Sequence, residues 1–120
     1  MNAKPLLFGA LLLAASVVGQ AVADERQAGY VQIAELEVDP AQLESYKAAL
    51  KQQIQTAIRV EPGVLALYAA ADKNNPNRIR VFEMYTDTNA YKVHLKSSHF
   101  KKYKATTQKM IRWRCQINFR

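Results

Sequence analysis

Asp39-Pro40 and Glu61-Pro62-Gly63 bracket a stretch whose apolar residues recur at spacings of three and four, and this bracketed helix restricts the fold more than any other feature. Asp39 suits an N-cap, and Pro40 suits the first helical position, where its missing N–H costs nothing. Leu43, Tyr46, Leu50, Ile54, Ala57 and Ile58 then share one helix face. Pro62-Gly63 ends the helix.

Strand patterns flank it. Tyr30 to Val38 is rich in β-branched and aromatic residues, and Val64 to Ala71 reads as a second strand. Asp72 to Asn77 is a polar turn, and Ile79 to Tyr85 forms a third strand. In that strand Arg80, Phe82 and Met84 face one way and Val81, Glu83 and Tyr85 the other. Asp87 caps a short helix with Ala90, Tyr91, His94 and Leu95 on one side. After Ser97-Ser98, a second helical segment lines up Phe100, Tyr103, Thr107, Met110 and Ile111. Trp113 to Phe119 closes the chain as a fourth strand. The order is β-α-β-β-α-β with the second helix broken in two, an α+β, ferredoxin-like arrangement in which helices cover one side of a four-stranded antiparallel sheet. Both sheet faces carry apolar residues, so a homodimer packed sheet against sheet is expected.

Residues 1–23 read as a secretory signal rather than as fold. Lys4 gives a positive start, Leu6 to Val18 is an apolar run of 13 residues, and Ala21-Val22-Ala23 fits a signal-peptidase cleavage site. The run is shorter than the roughly 20 residues a spanning helix needs, so no stable membrane anchor is expected after cleavage. The mature chain, residues 24–120, then forms one domain in the periplasm or outside the cell. Cys115 is the sole cysteine, so no internal disulfide staples the domain, and it reads as a small buried apolar residue.

Sixteen basic residues stand against ten acidic ones after Lys4 is removed, and nine of them lie from Lys92 onward. Such a run suggests a nucleic-acid partner. Export and the lack of an aromatic-interleaved RNA signature or recognition helix argue against one, leaving a solvated helix face or attraction to anionic groups.

Both histidines fall in one helical region, His94 and His99. Histidine titrates near neutrality, so the pair is a candidate proton-moving device. The phase that buries Ala90, Tyr91 and Leu95 turns His94 inward. In an unbroken helix His99 lies about 140° around the axis from it, and the Ser97-Ser98 break is what allows the two to converge. Each histidine serves either a substrate or the helix break and a backbone carbonyl. Glu83 either orients a histidine or pairs with Arg80, Arg112 or Arg114. Tyr68, Tyr85 and Trp113 either line an aromatic-accepting pocket or fill core. Two histidines are too few for a metal without a carboxylate, and Glu83 is the one nearby candidate, so no metal is expected.

The element order, Glu61-Pro62-Gly63 followed by Val64-Leu65-Ala66-Leu67-Tyr68, the strand ending Phe82-Glu83-Met84-Tyr85, and the A-x-x-x-H-L-x-x-x-H-F run from Ala90 to Phe100 resemble the antibiotic biosynthesis monooxygenase domain. Within that superfamily the quinol monooxygenase type is nearest. The resemblance spans about Tyr30 to Ile117 and implies a dimeric α+β barrel with a pocket between sheet and helices. It implies oxidation of a small phenolic, quinol or carbonyl compound without metal, flavin or other cofactor. His94 would then be the base, assisted by His99 and Glu83. Haem-degrading members carry their haem ligand at the position of Lys104 and a tryptophan at that of His94, so haem chemistry is not implied. The alternative is a non-catalytic dimer holding a small apolar ligand outside the cytoplasm, because the fold does not dictate function.

Overall fold

The computed structural model describes residues 29–119. The expected signal segment and cleavage site lie outside these residues. Strand β1 (Tyr30–Val38) leads through a short 3₁₀ turn at Pro40–Gln42 into helix α1 (Leu43–Val60). Strands β2 (Val64–Ala71) and β3 (Arg78–Tyr85) follow, then α2 (Thr88–Lys96), α3 (Ser98–Thr107) and β4 (Ile111–Phe119). The sheet order is β2-β3-β1-β4, with every neighbouring pair antiparallel. The ferredoxin-like expectation holds, with two separate helices where the second crossover was read as broken.

Local chemistry explains the boundaries. The Asp39 carboxylate accepts from the Ala41 N–H at 3.1 Å, and that of Asp87 accepts from the Ala90 N–H at 2.7 Å, satisfying donors that a helix start leaves free. Ser97 ends one helix and starts the next. Its hydroxyl donates to the His94 carbonyl at 2.6 Å and accepts from the Phe100 N–H at 3.3 Å. At Gly63 a Cβ would lie 2.6 Å from the Ala90 Cβ, so the start of β2 approaches α2 closely enough to exclude any side chain. Asp72 accepts from the N–H groups of Asn74 and Asn75, which tightens the β2–β3 turn and holds its carboxyl below the usual range.

The core lies between the sheet and the helices. Ala34, Leu36, Val38, Ile79 and Val81 from the strands meet Tyr46, Leu50 and Tyr103 from α1 and α3. A second cluster joins Ala57, Val64, Leu67 and Tyr85 at the other end. The Tyr46 and Tyr103 hydroxyls share a 2.7 Å hydrogen bond, which satisfies two phenols that burial pushes above their ordinary pKa.

The opposite sheet face carries Phe82 beside Tyr68 on one flank and Ile33 on the other. Ile117 lies beyond Ile33, and Phe119 pairs with Val31. Tyr68, Phe82, Trp113, Ile117 and Phe119 are all exposed there. Cys115, expected to be buried, is only half-buried, opposite Glu35 on this same face.

Candidate functional site

Two carboxylates organise the helix-covered side of the sheet. Glu83, on β3, is buried on a strand whose alternate residues Ile79, Val81 and Tyr85 also face the helices. The Tyr85 hydroxyl donates to its Oε1 at 2.7 Å and the Gln32 amide to its Oε2 at 2.8 Å. Tyr30 extends this chain by donating to the Gln32 Oε1 at 2.9 Å. Burial, with the Glu83 charge alongside, pushes the Tyr85 phenol far above its ordinary pKa, so it remains a donor. The arginines expected to pair with Glu83 are occupied or placed elsewhere. Arg80 meets Glu35 and Asp72 on the open face, and Arg112 meets Asp39. Arg114 shares a cavity with Glu83 but forms no salt bridge with it.

That cavity, about 50 Å³, is walled by Leu50 and Ile54 of α1, Tyr91 and Leu95 of α2, and Phe100 and Tyr103 of α3. Gln32 and Glu83 form its polar floor, and the exposed Arg114 and Gln116 of β4 mark its outer edge. Burial raises the Tyr46 and Tyr103 phenols, and the charge of nearby Arg114 partly opposes that rise. A buried carboxylate facing apolar walls, with one cation at the rim, can take a proton and steady an anion formed beside it.

The second carboxylate is Glu61, the residue that follows α1. Its Oε2 accepts from His94 Nδ1 at 2.7 Å and from His99 Nε2 at 2.6 Å. His94 is buried in the last turn of α2, and His99 stands at the second position of α3. The Ser97 break overcomes the separation of the two rings in a continuous helix. On its other side, His94 Nε2 meets the Gln53 side chain at 3.2 Å. Glu61, His94 and His99 place potential ligand atoms within 4.8 Å of one another.

Neither histidine lines the cavity on the sheet. His94 does turn inward, but it meets the cavity only through Gln53, a wall residue that touches its Nε2, and His99 borders the outer groove between α1 and α3. The carboxylate beside the histidines is Glu61, not Glu83. Tyr68 and Trp113 also depart from expectation. Tyr68 is 70% exposed and Trp113 45%, both on the open face, where the Arg78 guanidinium lies 5.7 Å from the Trp113 ring. Tyr85 alone of the three expected aromatics reaches the polar network. Gln32 and Gln53 were not singled out from the sequence, Tyr91 and Tyr103 were expected only as helix-face residues, and Arg114 only as a partner of Glu83. Strand alternation carried a signal for Gln32, a polar residue on the buried side of β1.

Fold and site define a ferredoxin-like α+β domain with a polar-floored cavity beneath its helices. The family model for antibiotic biosynthesis monooxygenases matches residues 29–106, and the chain belongs to that family. A candidate antibiotic biosynthesis monooxygenase from Bacteroides thetaiotaomicron is 42% identical, with a TM-score of 0.75 over 77% of this chain and 89% of that one. A candidate monooxygenase from Lactobacillus acidophilus is 28% identical with a TM-score of 0.74, covering 78% of this chain and 45% of its own. One from Nitrosomonas europaea, at 22% identity and a TM-score of 0.72 over 76% of this chain and 96% of that one, shares the fold. No curated protein matches. Family and neighbours together support a monooxygenase-like function.

Proposed function

We propose that this chain is an exported, cofactor-independent monooxygenase that oxidises a quinol or similar small aromatic in the cavity over Glu83. The observation that carries the proposal is a buried carboxylate, bonded to neutral donors alone, facing an apolar cavity. Glu83 accepts a proton from a phenolic hydroxyl, and the electron-rich anion then reduces dioxygen directly: one oxygen atom is added to a ring carbon, giving a hydroxyquinone, and the other leaves as water, the quinol supplying all the electrons. Arg114 at the rim stabilises the negative charge. Leu50, Ile54, Leu95 and Phe100 keep water from the ring.

The cavity is small beside the roughly 300–1,000 Å³ of sites that bury larger ligands. This favours a single-ring substrate extending toward Arg114 and Gln116. The apolar residues of the open face, Tyr68 and Trp113 among them, pack against a second copy to form a homodimer. Sedimentation at micromolar concentration should give twice the mass of one chain; a clean monomer contradicts the pairing. Export predicts periplasmic or secreted protein beginning near Asp24, which N-terminal sequencing of material from the native cell checks.

Oxygen uptake with a panel of hydroquinones tests the chemistry. Glu83→Gln should lower kcat by about 10²–10⁴, the range general-base catalysis contributes. Unaltered rates in a folded Glu83→Gln protein remove Glu83 from the mechanism. Ligand recovered unchanged after aeration of the wild type points instead to a non-catalytic binding protein.

A further inference from the structure

The convergence of α1, α2 and α3 on Glu61 serves no step at the cavity. We infer that Glu61, His94 and His99 form a binding site for a divalent first-row transition ion, for which zinc is the natural probe. Two imidazoles and a carboxylate are the donor set such ions take, with remaining positions left to water.

Three observations carry the inference. The three ligand atoms lie within 4.8 Å of one another, on α2, on α3 and on the residue that follows α1. Both rings crowd onto Oε2 at 2.6 and 2.7 Å while Glu61 Oε1 is buried with no partner among the described residues. A carboxylate held only by hydrogen bonds would spread two donors over its two oxygens. A metal bound through Oε2 accounts for the shared focus and leaves Oε1 as a second donor. Ligand atoms bonded at about 2.0–2.2 Å around a tetrahedral ion stand roughly 3.4 Å apart, so each ring must withdraw from Oε2 by somewhat less than about 1 Å.

The third observation lies behind His94. A metal on Nδ1 requires the proton on Nε2, and that N–H needs an acceptor. The Gln53 carboxamide already touches Nε2, and its Oε1 is buried without a partner. A half-turn of that amide presents Oε1 to the ring. Access comes from the other side, where Glu61 and His99 border a surface depression between Val60, Val93 and Lys96. The Lys96 ammonium beside it weakens cation binding somewhat and favours a site completed by water or an anion. The ion would tie the end of α1 to the α2–α3 break, behind Gln53 and outside the oxidation cavity.

Calorimetric titration of the chelator-stripped full chain with zinc chloride tests the site, and Co²⁺ absorption with ring-nitrogen NMR reads the ligands. The expected result is one ion per chain with micromolar or tighter affinity, and ring-nitrogen shifts at both histidines. Glu61→Gln and His99→Ala should each weaken zinc roughly tenfold or more, with Glu44→Gln unchanged. Binding only at millimolar zinc, or binding undiminished in both variants, overturns the site. Should a variant fail to fold, histidine resonances that stay put on zinc addition to the wild type overturn it equally.

Discussion

Glu83 and Glu61 are the same side chain in opposite settings, 22 positions apart on the helix-covered side of one sheet. Glu83 is held by an amide and a phenol and opens onto an apolar cavity. Glu61 is held by two imidazoles at a helix junction, with His94 and Gln53 standing between it and that cavity. Neighbours rather than residue type separate their roles. A carboxylate facing an apolar-walled cavity can meet a substrate proton, whereas one focused on two ring nitrogens is set to hold a cation.

The sharpest way to break the comparison is a pair of substitutions measured on both activities. Glu61→Gln should weaken zinc binding roughly tenfold or more while leaving hydroquinone oxidation within a few-fold of wild type. Glu83→Gln should do the reverse. Loss of oxidation in both variants would mean that the two carboxylates act as one site.

Gly63 sharpens the contrast structurally, because it lets β2 start directly beneath Ala90 of α2. Gly63→Ala puts a methyl 2.6 Å from the Ala90 Cβ and should cost about 1–3 kcal/mol, read as a lower midpoint in urea unfolding. It should disturb zinc affinity more than oxidation, since Glu61 lies two residues before it. Tyr46→Phe leaves the buried Tyr103 hydroxyl without its partner and should cost about 1 kcal/mol. Both phenols have raised pKa values when folded, so the stability they contribute is complete below about pH 10, where unfolded tyrosine titrates, and declines as pH rises beyond it. Alkaline unfolding should therefore be less steep in Tyr46→Phe. Smallest of all, Glu44→Gln breaks only an exposed pair with Lys47 and should change stability by less than about 0.5 kcal/mol.

Elements that rest on local chemistry were legible from the residues. Asp87 caps as its position implies, Asp39 caps the 3₁₀ turn that leads into α1 rather than α1 itself, and the alternation of β3 puts Glu83 and Tyr85 on the helix side. The site was less legible where it depends on two interruptions. The register of β2 shifts between Val64 and Ala66, which puts Val64 and Leu67, three residues apart, on the buried side and turns Tyr68 outward. No residue in Val64 to Tyr68 announces that shift. The Ser97 break was visible, but the direction in which it would aim His99 was not. Glu61, read only as part of a helix stop, became the partner of both rings because α1 ends opposite the break. Trp113 was misplaced for a simpler reason: its register opposite Glu37 puts it on the open face.

The account stands or falls on where an aromatic substrate sits. A crystal structure of the protein with a hydroquinone, grown without oxygen, tests this most directly. The prediction is a ring hydroxyl within about 3.2 Å of a Glu83 carboxylate oxygen, with the ring between Leu50, Phe100 and Arg114. A ring bound instead in the outer groove at His99, with Glu83 still contacted only by Gln32 and Tyr85, would contradict it.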